Sequence, residues 1–180
     1  MFINPKRCEQ IRFSEPSCGI GQAMLVPAGN PQGITDYSTF TGNADLKLAV
    51  MAGAVEAGYA KEAGVDESQL VILPDQASML KAVQTGRADA TALTALSIAN
   101  MASKADGVES TPPFGEVAGK SVKGQGGFGF RKEDTELYEE FNRHLMEFIG
   151  TQEHIDLVTP SGFGNGYLPN KTMEELRAGA

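Results

Sequence analysis

Between residues 46 and 104 short apolar runs take turns with helix-patterned segments, and this alternation limits the available folds more than any other feature of the chain. Residues 46–51, 69–73 and 88–93 are runs of strand length. Residues 55–63, stopped by Gly64, residues 76–84, ended before Gly86, and residues 95–104 carry helical spacing. Asp75 stands where the middle helix wants an N-cap. A strand followed by a helix before the next strand can return parallel to the first. The pattern therefore predicts an α/β fold with a mainly parallel sheet and helices on both faces.

Upstream, residues 21–27 read as a strand and residues 28–33 as a loop dense in turn formers. Downstream, residues 106–123 are polar and contain Pro112 and Pro113, which predicts a loop with room for one short strand. Residues 128–130 read as a strand remnant. Asp134 is placed to cap an amphipathic helix whose Leu137, Phe141, Leu145, Phe148 and Ile149 share one stripe, the spacing of a single buried face. Residues 153–158 form a second, shorter helix broken by Pro160, followed by a glycine-rich loop and a polar tail.

Fifteen Lys and Arg against twenty-three Asp and Glu give a net charge of −8. That acidic, dispersed balance argues against nucleic acid, whose phosphates reward clustered cations. No apolar stretch approaches the roughly 20 residues of a membrane-spanning helix, and no leader-like pattern opens the chain. Cys8 and Cys18 flank the turn at residues 13–16. They read either as a bridge, given an oxidising compartment, or as two unpaired thiols packed as small hydrophobes.

Catalytic motifs are scarce. Gly124, Gly126 and Gly129 match a dinucleotide fingerprint formally, but Phe128 and Phe130 continue as strand where a helix should open. Residues 115–121 fall one residue short of a phosphate-binding P-loop and follow a Pro-Pro pair, which reads as a surface loop. His144 and His154 lack partners at metal-site spacing, and His144 falls on the polar side of its helix. No nucleophile elbow is present. These readings favour binding over turnover, with no cofactor or metal required.

The first sixteen residues place Phe2, Asn4, Arg7, Phe13, Ser14 and Pro16 in one run. A planar guanidinium can hold a carboxylate with two parallel hydrogen bonds, which a lysine cannot. Taken alone, Arg7 reads more readily as a surface arginine at a helix start. The run resembles the carboxylate-holding segment of the family 3 (polar amino-acid type) solute-binding proteins of ABC importers. There the pattern is T-x-x-R followed shortly by F-S-x-P, and Asn4 here replaces the Thr. Residues 84–90 look like the family's x-x-G-R-x-D-A signature, and residues 126–134 with the helix behind them resemble its return into the first lobe. Within the family the chain is most similar to ectoine/hydroxyectoine-binding proteins. Those share the Met-Phe-Ile-x-Pro-x-Arg-Cys run, a second cysteine ten positions on, and a stretch like residues 96–100.

The resemblance implies that Arg7 clamps a ligand carboxylate. It also implies that Gly53, Ala54, Val55 and Glu56 present donors at a helix N-terminus, with Ala54 and Val55 in place of the usual Ser and Thr, so that only their backbone could serve. Thr94 stands where amino-acid binders carry an aspartate for the α-amino group, which makes a free α-amino acid a poorer ligand. Phe2 is a ring able to face a diffuse cation. A compact zwitterion with a delocalised positive charge, such as ectoine or hydroxyectoine, fits that set.

The implied architecture is a type II periplasmic binding protein fold, with one complete second lobe at residues 20–120 and a partial first lobe at residues 1–19 and 121–180. In the family the carboxylate-holding run lies well inside the chain, so the expectation is that an N-terminal part of the first lobe is missing here. The implied role is the periplasmic substrate-binding component of an ABC importer, trapping its ligand between lobes and presenting it to the permease subunits, without chemistry. The alternatives are a polar amino-acid-binding protein, a cyclohexadienyl dehydratase-like enzyme with Glu56 as its acid, and the sensing domain of a receptor kinase.

Overall fold

The computed structural model describes residues 1–178. Its contacts divide the chain into two compact units: Met1–Ile20 with everything from Gly124 onward, and Gly21–Lys123. The first unit opens with a single helical turn, α1 (Pro5–Cys8), then the short strands β1 (Arg12–Phe13) and β2 (Cys18–Ile20). Asn4 caps α1, its Oδ1 accepting from the Arg7 N–H at 2.9 Å, and Pro5 follows at the first helical position, where a missing N–H costs nothing.

The second unit runs β3 (Gln22–Pro27), α2 (Ser38–Thr41), β4 (Leu48–Met51), α3 (Glu56–Glu62), β5 (Leu70–Leu73), α4 (Gln76–Gln84), β6 (Ala90–Thr94), α5 (Ala95–Lys104) and β7 (Val108–Ser110), ending in the hairpin β8 (Glu116–Val117) and β9 (Lys120–Ser121). Five strands form one sheet in the order β5-β4-β6-β3-β7. β4 is parallel to β5 and β6, and only β3 runs against its neighbours, with Gln22 opposite Thr94 and Leu25 opposite Ser110.

Strand alternation feeds two cores. Met24 and Val26 of β3, Leu48 and Val50 of β4, and Ala90 and Ala92 of β6 pack with Tyr37, Phe40 and Ala60 on one face. Ala23, Leu25, Ala49 and Leu93 pack with Met79 and Val83 of α4 and Ile98 of α5 on the other. Helices therefore cover both faces, and burying each Leu, Ile, Val or Met contributes about 1.5–3 kcal/mol. α4 is capped by Asp75, whose carboxylate accepts from the Ser78 N–H at 2.7 Å. Gln69 belongs not to β5 but to a 3₁₀ turn before it, where its buried amide nitrogen donates to the carbonyls of Phe40, Asn43 and Leu46.

The chain re-enters the first unit through β10 (Gly124–Gly126), β11 (Gly129–Phe130), α6 (Thr135–Phe148), α7 (Gln152–Val158) and α8 (Met173–Ala178). β10 pairs with β2 and β1 with β11, both antiparallel and both only two strands wide. The turn at residues 13–16 is an anchor here. Phe13 is 1% exposed, and the Ser14 hydroxyl donates to the Glu15 carbonyl and accepts from the Phe128 N–H. Glu15 takes the Asn142 side chain through its N–H and the first N–H of α8 through its carboxylate.

Several sequence expectations are corrected. The tail folds as α8, burying Met173 and Leu176 against Ile3 and Phe13, because two apolar residues three apart are enough once a pocket awaits them. Residues 115–121 form a hairpin rather than a loop, turned by Ala118 at φ 51° and Gly119 at φ 77°, the pair of positive φ values that matches strand twist. Asp134 precedes α6 without capping it, since its carboxylate is taken by the Arg131 guanidinium at 2.8 and 2.9 Å. The apolar stripe of α6 is not a buried face. Leu145 alone is buried, Phe141 rests on Phe128 and Phe130, and Leu137 is 61% exposed.

Candidate functional site

Phe2 precedes the α1 turn and Arg7 lies within it. Residues 1–3 run alongside β10, with an isolated bridge from Phe2 to Gly126 and the Ile3 N–H donating to the Gln125 carbonyl at 2.9 Å. The Phe2 ring then lies on Gly124 so closely that a Cβ there would stand 2.6 Å from two ring carbons. A Cβ at Gly126 would meet the Cys18 Sγ at 2.7 Å, and one at Gly127 the Ile3 side chain at 2.9 Å. This explains the glycine run. It is required by close approach, not by φ freedom or phosphate binding, and no glycine in it has a positive φ.

Arg7 is half-buried, and its Nη1 donates to the Phe2 carbonyl at 2.8 Å. Among the described residues no carboxylate pairs with it. The bond to Phe2 orients the fork. Sequence reasoning did not anticipate this tie between the two residues.

In the second unit the remaining candidates gather at the carboxyl ends of the adjacent parallel strands β4 and β6, where open α/β sheets place their ligands. Gly53 turns the chain after β4 with φ 74°. Ala54 is corrected as a free donor, because its N–H is spent on the Met51 carbonyl at 3.1 Å. Val55 precedes α3 and makes no side-chain cap hydrogen bond.

Glu56 is 3% exposed. With the Gln22 amide turned so that its nitrogen faces inward, Gln22 donates to the Leu93 carbonyl at 3.0 Å and to Glu56 Oε1 at 3.2 Å. Tyr37, fully buried nearby, has its phenol pKa pushed well up, first by burial and then by the charge of Glu56 and by Tyr59. Glu56 thus belongs to a buried polar layer beneath the turn.

Thr94 closes β6 and caps α5, its hydroxyl donating to Ser97 Oγ at 2.8 Å and accepting from the Ser97 N–H at 3.4 Å. The Thr94-x-x-Ser97 spacing is a cap signal readable in the sequence. Cys8 and Cys18 stand as separate thiols, the unpaired one of the two readings the sequence left open. Cys8 packs beside the Ile3 and Phe13 cluster, while Cys18 faces Gly126 and an apolar cavity of the same unit. His144 is exposed between Glu140 and Glu147, and His154 is buried against Phe148. Among the described residues no group of three His, Cys, Asp or Glu could hold a metal, and no helix is long and apolar enough to cross a membrane.

The family model described as "Bacterial extracellular solute-binding proteins, family 3" matches residues 1–157. A probable amino-acid ABC transporter periplasmic-binding protein, y4tE, of Sinorhizobium fredii (strain NBRC 101917 / NGR234) is 37% identical over 98% of this chain and 60% of its own. The chain therefore spans about three fifths of that relative. Among solved structures, EhuB in complex with hydroxyectoine superimposes with a TM-score of 0.84 at 31% identity, over 99% of this chain and 69% of that one. An ancestral arginine-binding protein bound to glutamine gives 0.72 at 25% identity, over 92% and 69%. An ancestral amino acid-binding protein described as a precursor of cyclohexadienyl dehydratase gives 0.70 at 25%, over 89% and 65%. Both units carry the match, and the chain belongs to the bacterial extracellular solute-binding proteins, family 3.

Proposed function

We propose that this protein is the substrate-capturing component of an ABC importer for a small zwitterionic carboxylate, an ectoine- or hydroxyectoine-like compatible solute. The observation that carries the reading is Arg7: half-buried, oriented by the Phe2 carbonyl, and without a carboxylate partner among the described residues. Its remaining donors suit a ligand carboxylate, and the ring of Phe2 suits the delocalised cation at the other end of a compact zwitterion. In the second unit Thr94, at the end of β6, is neutral where amino-acid binders carry an aspartate. A neutral group at 94 offers less to a localised ammonium than to a diffuse charge. The hydroxyectoine complex among its structural neighbours supports the ligand class.

The acid that a dehydratase-like step would need finds no support. Glu56 is buried in a structural layer rather than presented to solvent, so binding without turnover is the reading we adopt. In this role the protein works in the periplasm and delivers its ligand to permease subunits in the membrane.

Calorimetric titration with ectoine, hydroxyectoine, glycine betaine, arginine and glutamine tests it. Ectoine or hydroxyectoine should bind tightest, and Arg7→Ala should weaken that binding by about 2 kcal/mol, the scale of a hydrogen bond to a charged group. Tight binding of arginine or glutamine with none of ectoine would overturn the ligand class.

A further inference from the structure

We propose that the outer edge of β5 is a strand-addition site for an extended peptide that is apolar in its middle and carries Lys or Arg at both ends. β5 closes the five-stranded sheet on one side and β7 closes it on the other. The two edges are finished differently. β7 carries Glu109, whose carboxylate accepts from the Gly29 N–H at 2.9 Å, and Pro112 and Pro113 follow it; a charge and nearby prolines both discourage further pairing. β5 is Leu70-Val71-Ile72-Leu73, with neither a charge nor a proline inside it. Ile72 is 64% exposed, and among the described residues it is the one large apolar side chain of the second unit left to solvent.

The main chain of β5 offers the pairing groups. The Leu73 carbonyl accepts from the Ala52 N–H at 2.9 Å and so points toward β4. Main-chain groups alternate sides along a strand, so the N–H and C=O of Ile72 and the C=O of Leu70 point outward, where no strand borders them. Such a row beside an apolar side chain is the template on which an extended peptide adds as a further strand. Charge states what the peptide carries. From Glu62 to Leu80 the chain has Glu62, Asp66, Glu67 and Asp75 but no Lys, Arg or His. Among the described residues only Glu67 of these has a cation at ion-pair distance, Lys61. Asp66 and Asp75 stand exposed at the two ends of β5, and hydrogen bonds from Ser68 and Ser78 hold their carboxyls below the usual range, so both stay charged at neutral pH. A second copy of this chain fits poorly. About a two-fold axis the paired β5 strands run antiparallel, which sets Asp66 of one against Asp75 of the other. A peptide with a cation at each end meets the same charges with attraction. The inference uses neither Arg7 nor Phe2 and stands whether or not the ligand class is right.

The test uses the 180-residue chain and the synthetic peptide acetyl-Lys-Lys-Thr-Val-Val-Val-Lys-Lys-amide, followed by calorimetric titration and amide hydrogen exchange at low salt. Saturating peptide should slow exchange of the Ile72 amide at least about tenfold and leave the α5 amides unchanged. A peptide with glutamates in place of its lysines should bind at least about tenfold more weakly, because the ends then repel Asp66 and Asp75. Methylating the nitrogens of the central Thr and Val residues should weaken binding at least as much, by removing the donors that a strand needs. Ile72→Lys should lose the peptide to the same degree with a urea midpoint no lower than that of the wild type, since its side chain is exposed. Failure of the lysine-flanked peptide to bind would overturn the proposal. So would equal binding of the glutamate or methylated peptide, or undiminished binding by Ile72→Lys. An Ile72 amide already protected in a dimer of the chain alone would assign the edge to a second copy and overturn it as well.

Discussion

Nη1 of Arg7 donates to the main-chain carbonyl of Phe2 across 2.8 Å, so the cation and the ring five residues before it are tied into one turn. Asn4, which caps α1 from between them, makes that turn possible at the position where the family usually has Thr. The guanidinium is thereby oriented, and on the proposed reading less side-chain freedom remains to be lost on binding.

Arg7→Lys keeps the charge but loses the planar fork, and cannot reach the Phe2 carbonyl and a bidentate anion together. We expect it to weaken carboxylate binding nearly as much as Arg7→Ala, by about 1.5–3 kcal/mol. Calorimetry decides, and near-normal affinity in the lysine variant would show that the fork is unimportant.

Gly124→Ala places a methyl group 2.6 Å from ring carbons of Phe2, which must swing away. The expected result is a loss of affinity for a cationic ligand similar to that of Phe2→Ala, about 0.5–2 kcal/mol, with the second unit as stable as before. Titration beside urea unfolding would check it. Unchanged affinity would mean that the ring takes no part.

On the proposed reading Thr94 has two separable duties. Thr94→Ala removes the α5 cap and should cost about 1 kcal/mol of stability, seen as a lower urea midpoint. Thr94→Asp keeps a capping oxygen and adds the charge that amino-acid binders carry. It should raise the affinity for a free α-amino acid relative to ectoine, read as a reversed order of dissociation constants for glutamine and ectoine.

Tyr37 is fully buried and its hydroxyl has no hydrogen-bond partner among the described residues. Removing an unsatisfied buried oxygen is expected to help, so Tyr37→Phe should gain about 1 kcal/mol in urea unfolding at pH 8. The phenol pKa is raised in the fold by burial and by Glu56. The unfolded chain therefore gives up this proton first, above about pH 10, and stability falls as pH rises from there. Between pH 8 and pH 11 the wild type should lose more stability than Tyr37→Phe. Equal losses would place the alkaline sensitivity elsewhere.

Much of the second unit was legible in residue order alone. Helices at 76–84 and 95–104 have the bounds their caps and apolar spacing imply, and the strands fall within a residue or two of the apolar runs. These signals are local, and a self-sufficient five-stranded core satisfies them. The first unit was less legible. The stripe on α6 is a true amphipathic pattern, but a pattern states only that a face wants a partner, not that one is present. α8 escaped notice because its two buried residues are meaningful only against Ile3 and Phe13, far away in sequence.

The candidate site divides along the same line. Residue order by itself determined the α/β class and the helices at 76–84 and 95–104, because strand length, turn chemistry and side-chain type are written locally; Arg7 stood out only through the family resemblance. Only the tertiary structure decided that Arg7 is held by Phe2, that the glycines at 124–127 exist to admit Phe2, Cys18 and Ile3, that the Ala54 donor is already spent, and that Glu56 is buried. Those outcomes depend on which distant surfaces meet within an ångström or two, and one-dimensional spacing carries no measure of that.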